Sequence, residues 1–140
     1  MSKGPQEGGI DLEIRRYSKN DEEGLFSMLR KEPEWEEYWG PSGKERYRKA
    51  LDDSAVFVAL DGNGICGYVR CVDDSGFGIY ILDLLVTGTE RGKKIGRALM
   101  DKVCSEFPDD KVYVTSGIDG YYEKQGYRRE GTIFEILRDK

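Results

Sequence analysis

The 140 residues suffice for one domain with a single core and leave no room for a second full domain. Lys and Arg number 22 against 27 Asp and Glu, a formal charge of −5 that disfavours general attraction to nucleic acid or to an anionic membrane. There is no histidine, which removes His-based zinc sites and every nucleophile–His pair and leaves any chemistry to Asp, Glu, Tyr, Lys, Cys, Ser or the backbone. No apolar stretch reaches the ~18 residues of a membrane helix, and the first ten residues lack the apolar segment of a secretory signal, so a cytoplasmic protein with no membrane contact is expected. Cys66, Cys71 and Cys104 have no CxxC spacing; Cys66 and Cys71, five apart on one expected strand, should face opposite ways, and a disulfide framework is not expected.

Residues 1–9, with three glycines and a proline, read as a loose tail, and 10–140 as a single domain. The alternation of Ile10, Leu12 and Ile14 predicts a half-buried strand over 10–17. A first helix follows, capped at Asn20 or Asp21, with Leu25, Phe26, Met28 and Leu29 on its apolar face. The segment from Pro33 to Asp53 carries Trp35, Tyr38, Trp39, Tyr47 and Leu51, and Gly-Pro-Ser-Gly at 40–43 divides it into two short helical pieces.

Residues 54–86 break at "DGNG" and "DDSGFG" into three sequential strands that should pair antiparallel. The third, 78–86, is the most apolar run and is expected at the centre of a sheet. Asp83 interrupts it, on the face that plain alternation shares with Ile79, Ile81 and Leu85. A carboxylate there is costly unless paired or open to a cleft. A helix from about Lys93 to Phe107 would cross over to a strand at "KVYVTS" lying parallel to 78–86. "DGYYEKQG" reads as a short helix and "YRREGTIFEIL" as a terminal strand pair turning at Glu130-Gly131.

The stretch "TERGKKIGRALM" concentrates Arg91, Lys93, Lys94 and Arg97 around Gly92 and Gly96 at the start of the crossover helix. Unpaired N–H groups and the positive end of the dipole make such a start an anion site, and glycine lets an anion approach the backbone. Gly96 inside the first turns costs ~1 kcal/mol relative to alanine. Either a bound phosphate or tight packing of the helix on the sheet would compensate. There is no GxxxxGK[ST] and no GxGxxG after the first strand, which sets aside the common nucleotide loops.

"LLVTGTERGKKIGRALM" resembles the acyl-CoA-binding motif of the GNAT family of N-acetyltransferases, [Q/R]-x-x-G-x-[G/A], with Arg91 and Gly96 matching and Lys94 standing where the middle glycine is usual. "GYYEKQGYRREG" is similar to the family's F/Y-Y-x-x-x-G-F/Y segment, and the order β-α-α-β-β-β-α-β-α-β-β agrees with its fold over roughly residues 10–138. The resemblance implies a mixed, mostly antiparallel α/β sheet of six to seven strands flanked by about four helices. It implies acetyl-CoA as co-substrate with no metal, an amine of a small molecule or protein as acceptor, and is compatible with a homodimer.

By the same resemblance, the backbone of Leu84, Leu85 and Val86 would hold the pantetheine arm and thioester, and Arg91, Gly92, Lys93, Lys94, Ile95, Gly96 and Arg97 the pyrophosphate. Tyr122 matches the tyrosine that protonates the departing thiolate; tyrosine, near pKa ~10, can donate as charge develops on sulfur. For Asp83 three roles stand open: base through water, ligand of the substrate amine, or structural carboxylate. The aromatic residues at 35–47 read first as core and second as the wall of an acceptor cleft, with Glu34, Glu36 and Glu37 beside them. The chief alternative to an enzyme is a non-catalytic acyl-CoA sensor or protein-interaction domain on the same fold.

Overall fold

The structure is a computed structural model that describes residues 12–90, 94–115 and 119–138. Its elements run β1 (Glu13–Arg16), α1 (Glu22–Leu29), α2 (Glu36–Trp39), α3 (Lys44–Asp53), β2 (Ala55–Asp61), β3 (Gly64–Asp73), β4 (Ile79–Val86), α4 (Ile95–Glu106), β5 (Val112–Val114) and α5 (Asp119–Lys124). The five strands form one sheet in chain order. Neighbours pair antiparallel from β1 to β4, and β5 joins β4 in parallel after the α4 crossover, as the helix between them requires.

Each face of the sheet has its own core. On one, Ile95, Leu99, Met100 and Val103 of α4 bury against Phe57, Val69, Cys71, Ile79 and Ile81. On the other, Leu25, Phe26, Met28 and Leu29 of α1 with Tyr47 and Leu51 of α3 cover Val56, Val58, Tyr68 and Leu85. The α4 spacing i, i+4, i+8 of Ile95, Leu99 and Val103 is the helical period that places all three on one stripe; Cys104 lies off it and is exposed.

Two β-bulges change which residues share a face. Ala59 pairs with Gly67 and Leu60 with Ile65, so Cys66 is an extra residue in β3. Cys66 and Cys71 therefore join the same core on the α4 face, instead of opposite ones as strict alternation predicts. Arg70 pairs with Asp83 and Cys71 with Ile81, so Leu82 is extra in β4 and stands 41% exposed. The bulge carries Asp83 and Leu85 to the α1–α3 face, away from Ile79 and Ile81.

The expected terminal strand pair is not formed: residues 127–138 hold no strand, and Ile133, Phe134, Ile136 and Leu137 are 71–89% exposed. The alternation is present in the sequence, but a strand needs a partner, and β5 offers only three residues of ladder. Among the described residues the sheet has five strands instead of six to seven, and there are five helices, α2 being a single turn.

At the start of α1, the Arg15 guanidinium grips the buried Asp21 carboxylate through two bonds of 2.8 and 2.9 Å, and the Ser18 N–H donates to the same carboxylate at 2.8 Å. The Arg15 bond, reinforced by Ser18, holds the Asp21 carboxyl below the usual carboxylate range. A depressed carboxyl contributes stability above its unfolded value of ~4 and loses it as pH falls through the lower folded value. Asp21→Asn is expected to cost about 1 kcal/mol at neutral pH, since Arg15 is partly exposed. It should also flatten the loss of stability below pH ~4 in acid titrations followed by circular dichroism; an unchanged acid limb would assign that limb to other carboxylates.

Candidate active site

Asp83 is buried at 5% exposure in the middle of β4. Its Oδ2 accepts from Arg70 Nε and from the Tyr47 hydroxyl, both at 2.6 Å, and its Oδ1 accepts from the Tyr38 hydroxyl at 2.8 Å. Because the Tyr47 proton goes to Asp83, the 2.6 Å contact between the Tyr47 and Tyr68 hydroxyls must be donated by Tyr68. Arg70 continues the network through Nη1 to Ser54 Oγ at 3.2 Å, and its guanidinium lies over the Tyr47 ring. Burial disfavours charge on Arg70, but the Asp83 carboxylate outweighs it and holds the guanidinium above its usual value. Burial, then the Asp83 charge, pushes the Tyr38 hydroxyl up to about 12, and burial first raises Tyr47 and Tyr68 further.

The helical pieces place the tyrosines. Tyr38 lies in α2 and Tyr47 in α3, and their rings stack with centroids 4.0 Å apart and planes 8° from parallel. The turn between the helices is tight enough that a Cβ on Gly43 would stand 1.8 Å from the Glu37 carbonyl oxygen, so only glycine fits there. Beyond Tyr38 opens a cleft of about 200 Å³ lined by Glu34, Trp35, Glu37, Tyr38, Leu82 and Asp83. Its polar walls are three carboxylates, a phenol and an indole, with no cationic side chain among them.

On the opposite face, α4 begins without a side-chain cap. The first helical bond there is donated by Ala98 N–H to the Lys94 carbonyl, so the N–H groups of Ile95, Gly96 and Arg97 have no acceptor within the helix. Lys94 takes the left-handed conformation, φ 64° and ψ 20°, which explains why the family motif favours glycine at this position. This end of a twelve-residue helix fits the phosphates of a CoA ligand. Arg91, Gly92 and Lys93 lie outside the described residues.

Pairing of β4 with β5 stops at Ile81 opposite Val114, with Thr115 N–H donating to the Ile81 carbonyl. From 82 to 85 the β5-side edge of β4 has no strand partner among the described residues. Of Leu84, Leu85 and Val86, the segment expected to hold the pantetheine arm, Leu84 and Val86 pack on the α4 face and Leu85 on the other.

On α5, Tyr122 is half-buried against the α4-side core, edge-on to Tyr121 and stacked with Tyr127. Burial raises its hydroxyl above the ordinary tyrosine value, so it holds its proton at neutral pH. The Tyr121 hydroxyl lies where a Cβ on Gly96 would come within 2.7 Å; the packing reading of Gly96 is thus observed alongside the uncapped helix start. Arg97 turns its side chain to Gln125 and Asp101 and lies over the Tyr127 ring, tying α4 to the α5 end. Asp83 and Tyr122 therefore lie on opposite faces of the sheet, on either side of the β4 edge.

Of the aromatic residues read first as core, Tyr47 is core, whereas Trp35 and Tyr38 also form the wall of the cleft. Asp83 is bonded to side chains on three elements. Arg70 and Tyr68 are the residues that sequence reasoning missed. The available signal was a cation inside "GYVRCV", a second charge in a central strand beside the one holding Asp83.

The chain matches the acetyltransferase (GNAT) domain over residues 52–129, more than half its length, and so belongs to that family. No curated protein sequence matches it significantly. A GNAT family acetyltransferase from Streptococcus pneumoniae superposes with a TM-score of 0.67 at 23% identity, over 93% of this chain and 99% of that one. An aminoglycoside acetyltransferase from an uncultured soil metagenomic sample gives 0.69 at 26% identity, over 92% and 99%. An aminoglycoside N-acetyltransferase solved in complex with CoA gives 0.66 at 14%, over 94% and 96%, a likeness of fold.

Two substitutions test this geometry. Asp83→Ala strands the buried Arg70 charge and should cost ~3 kcal/mol or more in chemical denaturation; a loss below ~1 kcal/mol would show that the ion pair is not structural. Lys94→Gly removes the left-handed strain and should raise stability by ~0.5–1 kcal/mol; a clear loss would refute that conformation.

Proposed function

We propose that the protein is an acetyl-CoA-dependent N-acetyltransferase that acetylates a primary amine, with Tyr122 as general acid. The observation that carries this reading is the β4 edge at 82–85, without a strand partner among the described residues, which lies between the start of α4 and the acidic aromatic cleft. It supports a cofactor entering from the α4 side and an acceptor from the α1–α3 side, meeting at one strand. Acetyl-CoA supplies the acetyl group as an activated thioester.

By family resemblance the backbone of Leu84, Leu85 and Val86 aligns the pantetheine arm, and the N–H groups of Ile95, Gly96 and Arg97, together with Arg91, Gly92, Lys93 and Lys94, receive the phosphates. An acceptor that arrives as an ammonium first gives one proton to water, which frees its lone pair; the C–N bond then forms, the C–S bond breaks, the nitrogen releases a second proton and the sulfur gains one. Tyr122, protonated at neutral pH and without a hydrogen-bond partner for its hydroxyl among the described residues, is available to donate that proton. The amine's proton passes to water, since Asp83 serves as the counter-ion of Arg70. With Glu34, Glu37 and Asp83 around the cleft, the favoured acceptors are cationic amines without an adjacent anionic group.

CoA at a hundredfold excess over Kd should add ~2.7 kcal/mol of stability, a rise of several degrees in Tm. No shift at millimolar CoA would sink the cofactor assignment. With an acceptor found by CoA release from a panel of putrescine, a lysine peptide, glucosamine and glucosamine 6-phosphate, Tyr122→Phe should lower kcat by ~10²–10⁴ and leave CoA affinity nearly unchanged. A wild-type kcat would refute the acid role. CoA binding without amine-dependent turnover would favour the non-catalytic sensor.

A further inference from the structure

Two residues that line the cleft, Tyr38 and Asp83, carry oxygens whose hydrogen-bonding capacity can be counted. Tyr38 has one hydroxyl proton, and it is committed to Asp83 Oδ1 at 2.8 Å. The hydroxyl oxygen keeps lone pairs free to accept. Asp83 Oδ2 is occupied by Arg70 and Tyr47, whereas among the described residues Oδ1 receives only Tyr38. Both residues line the cleft.

The direction of the Tyr38 hydroxyl is set by its surroundings. Its ring is clamped on Tyr47 at 4.0 Å and against Trp35 in an edge-on contact at 5.7 Å. Its proton remains in place at neutral pH, because burial and the Asp83 charge push the hydroxyl up to about 12. Asp83 is in turn held by the Arg70 guanidinium from the neighbouring strand, at the point where the Leu82 bulge turns it to this face.

We propose that Tyr38 is the acceptor-orienting residue: its hydroxyl oxygen, with Asp83 Oδ1 beside it, receives the N–H groups of the incoming amine and aims the nitrogen lone pair at the β4 edge. This role rests on the acetyltransferase reading above. Arg70 and Tyr47 are positioning residues that act through Asp83. The site therefore recognises the acceptor nitrogen through its N–H groups and disfavours nitrogens that carry none.

The experiment compares wild type, Tyr38→Phe and Tyr17→Phe with the best acceptor of the amine panel, measuring acceptor KM, kcat, acetyl-CoA KM and Tm. Tyr17→Phe removes a tyrosine hydroxyl that has no hydrogen-bond partner among the described residues and lies outside the cleft, and serves as the control. Tyr38→Phe is expected to raise acceptor KM by ~10-fold or more, the loss of a hydrogen bond to a charged group, with acetyl-CoA KM unchanged and Tyr17→Phe like wild type. Acceptor kinetics in Tyr38→Phe within twofold of wild type would overturn the orienting role and leave the acetyltransferase reading intact.

A second measurement needs no mutant. The trimethylammonium analogue of the acceptor, which has no N–H to give, should inhibit wild type with a Ki at least ~10-fold above that of the dimethylammonium analogue, which keeps one N–H and cannot form a neutral amide. Equal inhibition would overturn the proposal. A wild type that binds acetyl-CoA and acetylates nothing in the panel would overturn both this proposal and the reading it rests on.

Discussion

The Arg70–Asp83 ion pair ties the α1–α3 half of the molecule to the centre of the sheet. Two opposite charges on adjacent central strands, both nearly out of water, are tolerable only together, because removing either leaves an uncompensated charge in a region of low polarity. The pair also recruits Tyr38, Tyr47 and, through Tyr47, Tyr68, so that α2, α3, β3 and β4 converge on one carboxylate. An apolar pair of similar volume would pack there at lower cost in desolvation. What the polar network adds is a fixed direction for hydroxyl groups at the floor of a cleft.

The sheet then divides the labour. The α4 face provides uncapped N–H groups and a half-buried tyrosine, while the α1–α3 face provides carboxylates and aromatic walls. Positive backbone on one side and negative side chains on the other suit two substrates of opposite charge. Between the two faces, among the described residues, β4 continues beyond its pairing with β5. Family membership fixes the broad chemistry, and the arrangement of residues in this chain gives the acceptor side its character.

Much of this architecture was legible in the sequence because it depends on local rules. Apolar periodicity placed α1 and α4, the Gly-Pro-Ser-Gly break marked off α3, the two Gly-containing turns separated β2, β3 and β4, and the crossover helix dictated parallel β5. Gly96 and Tyr122 could be found from short motifs. What alternation could not supply was face: one inserted residue at Cys66 and another at Leu82 reversed the sides of Cys66, Asp83 and Leu85, and no residue type announces a bulge. Arg70 was missed for a related reason, since its partner is set by strand register, a long-range property. The terminal alternation at 131–137 reads as a strand locally but has no ladder to join.

The placing of the two tryptophans has an optical consequence. Trp39 is fixed away from the cleft walls by a 3.1 Å bond from its indole N–H to the Glu32 carbonyl, whereas Trp35 lines the cleft edge-on to Tyr38. The emission of Trp39 is thus a constant background, and that of Trp35 depends on the polarity and the quenching groups of whatever fills the space beside it. The chain carries a built-in fluorophore at the cleft and a second one a few residues away.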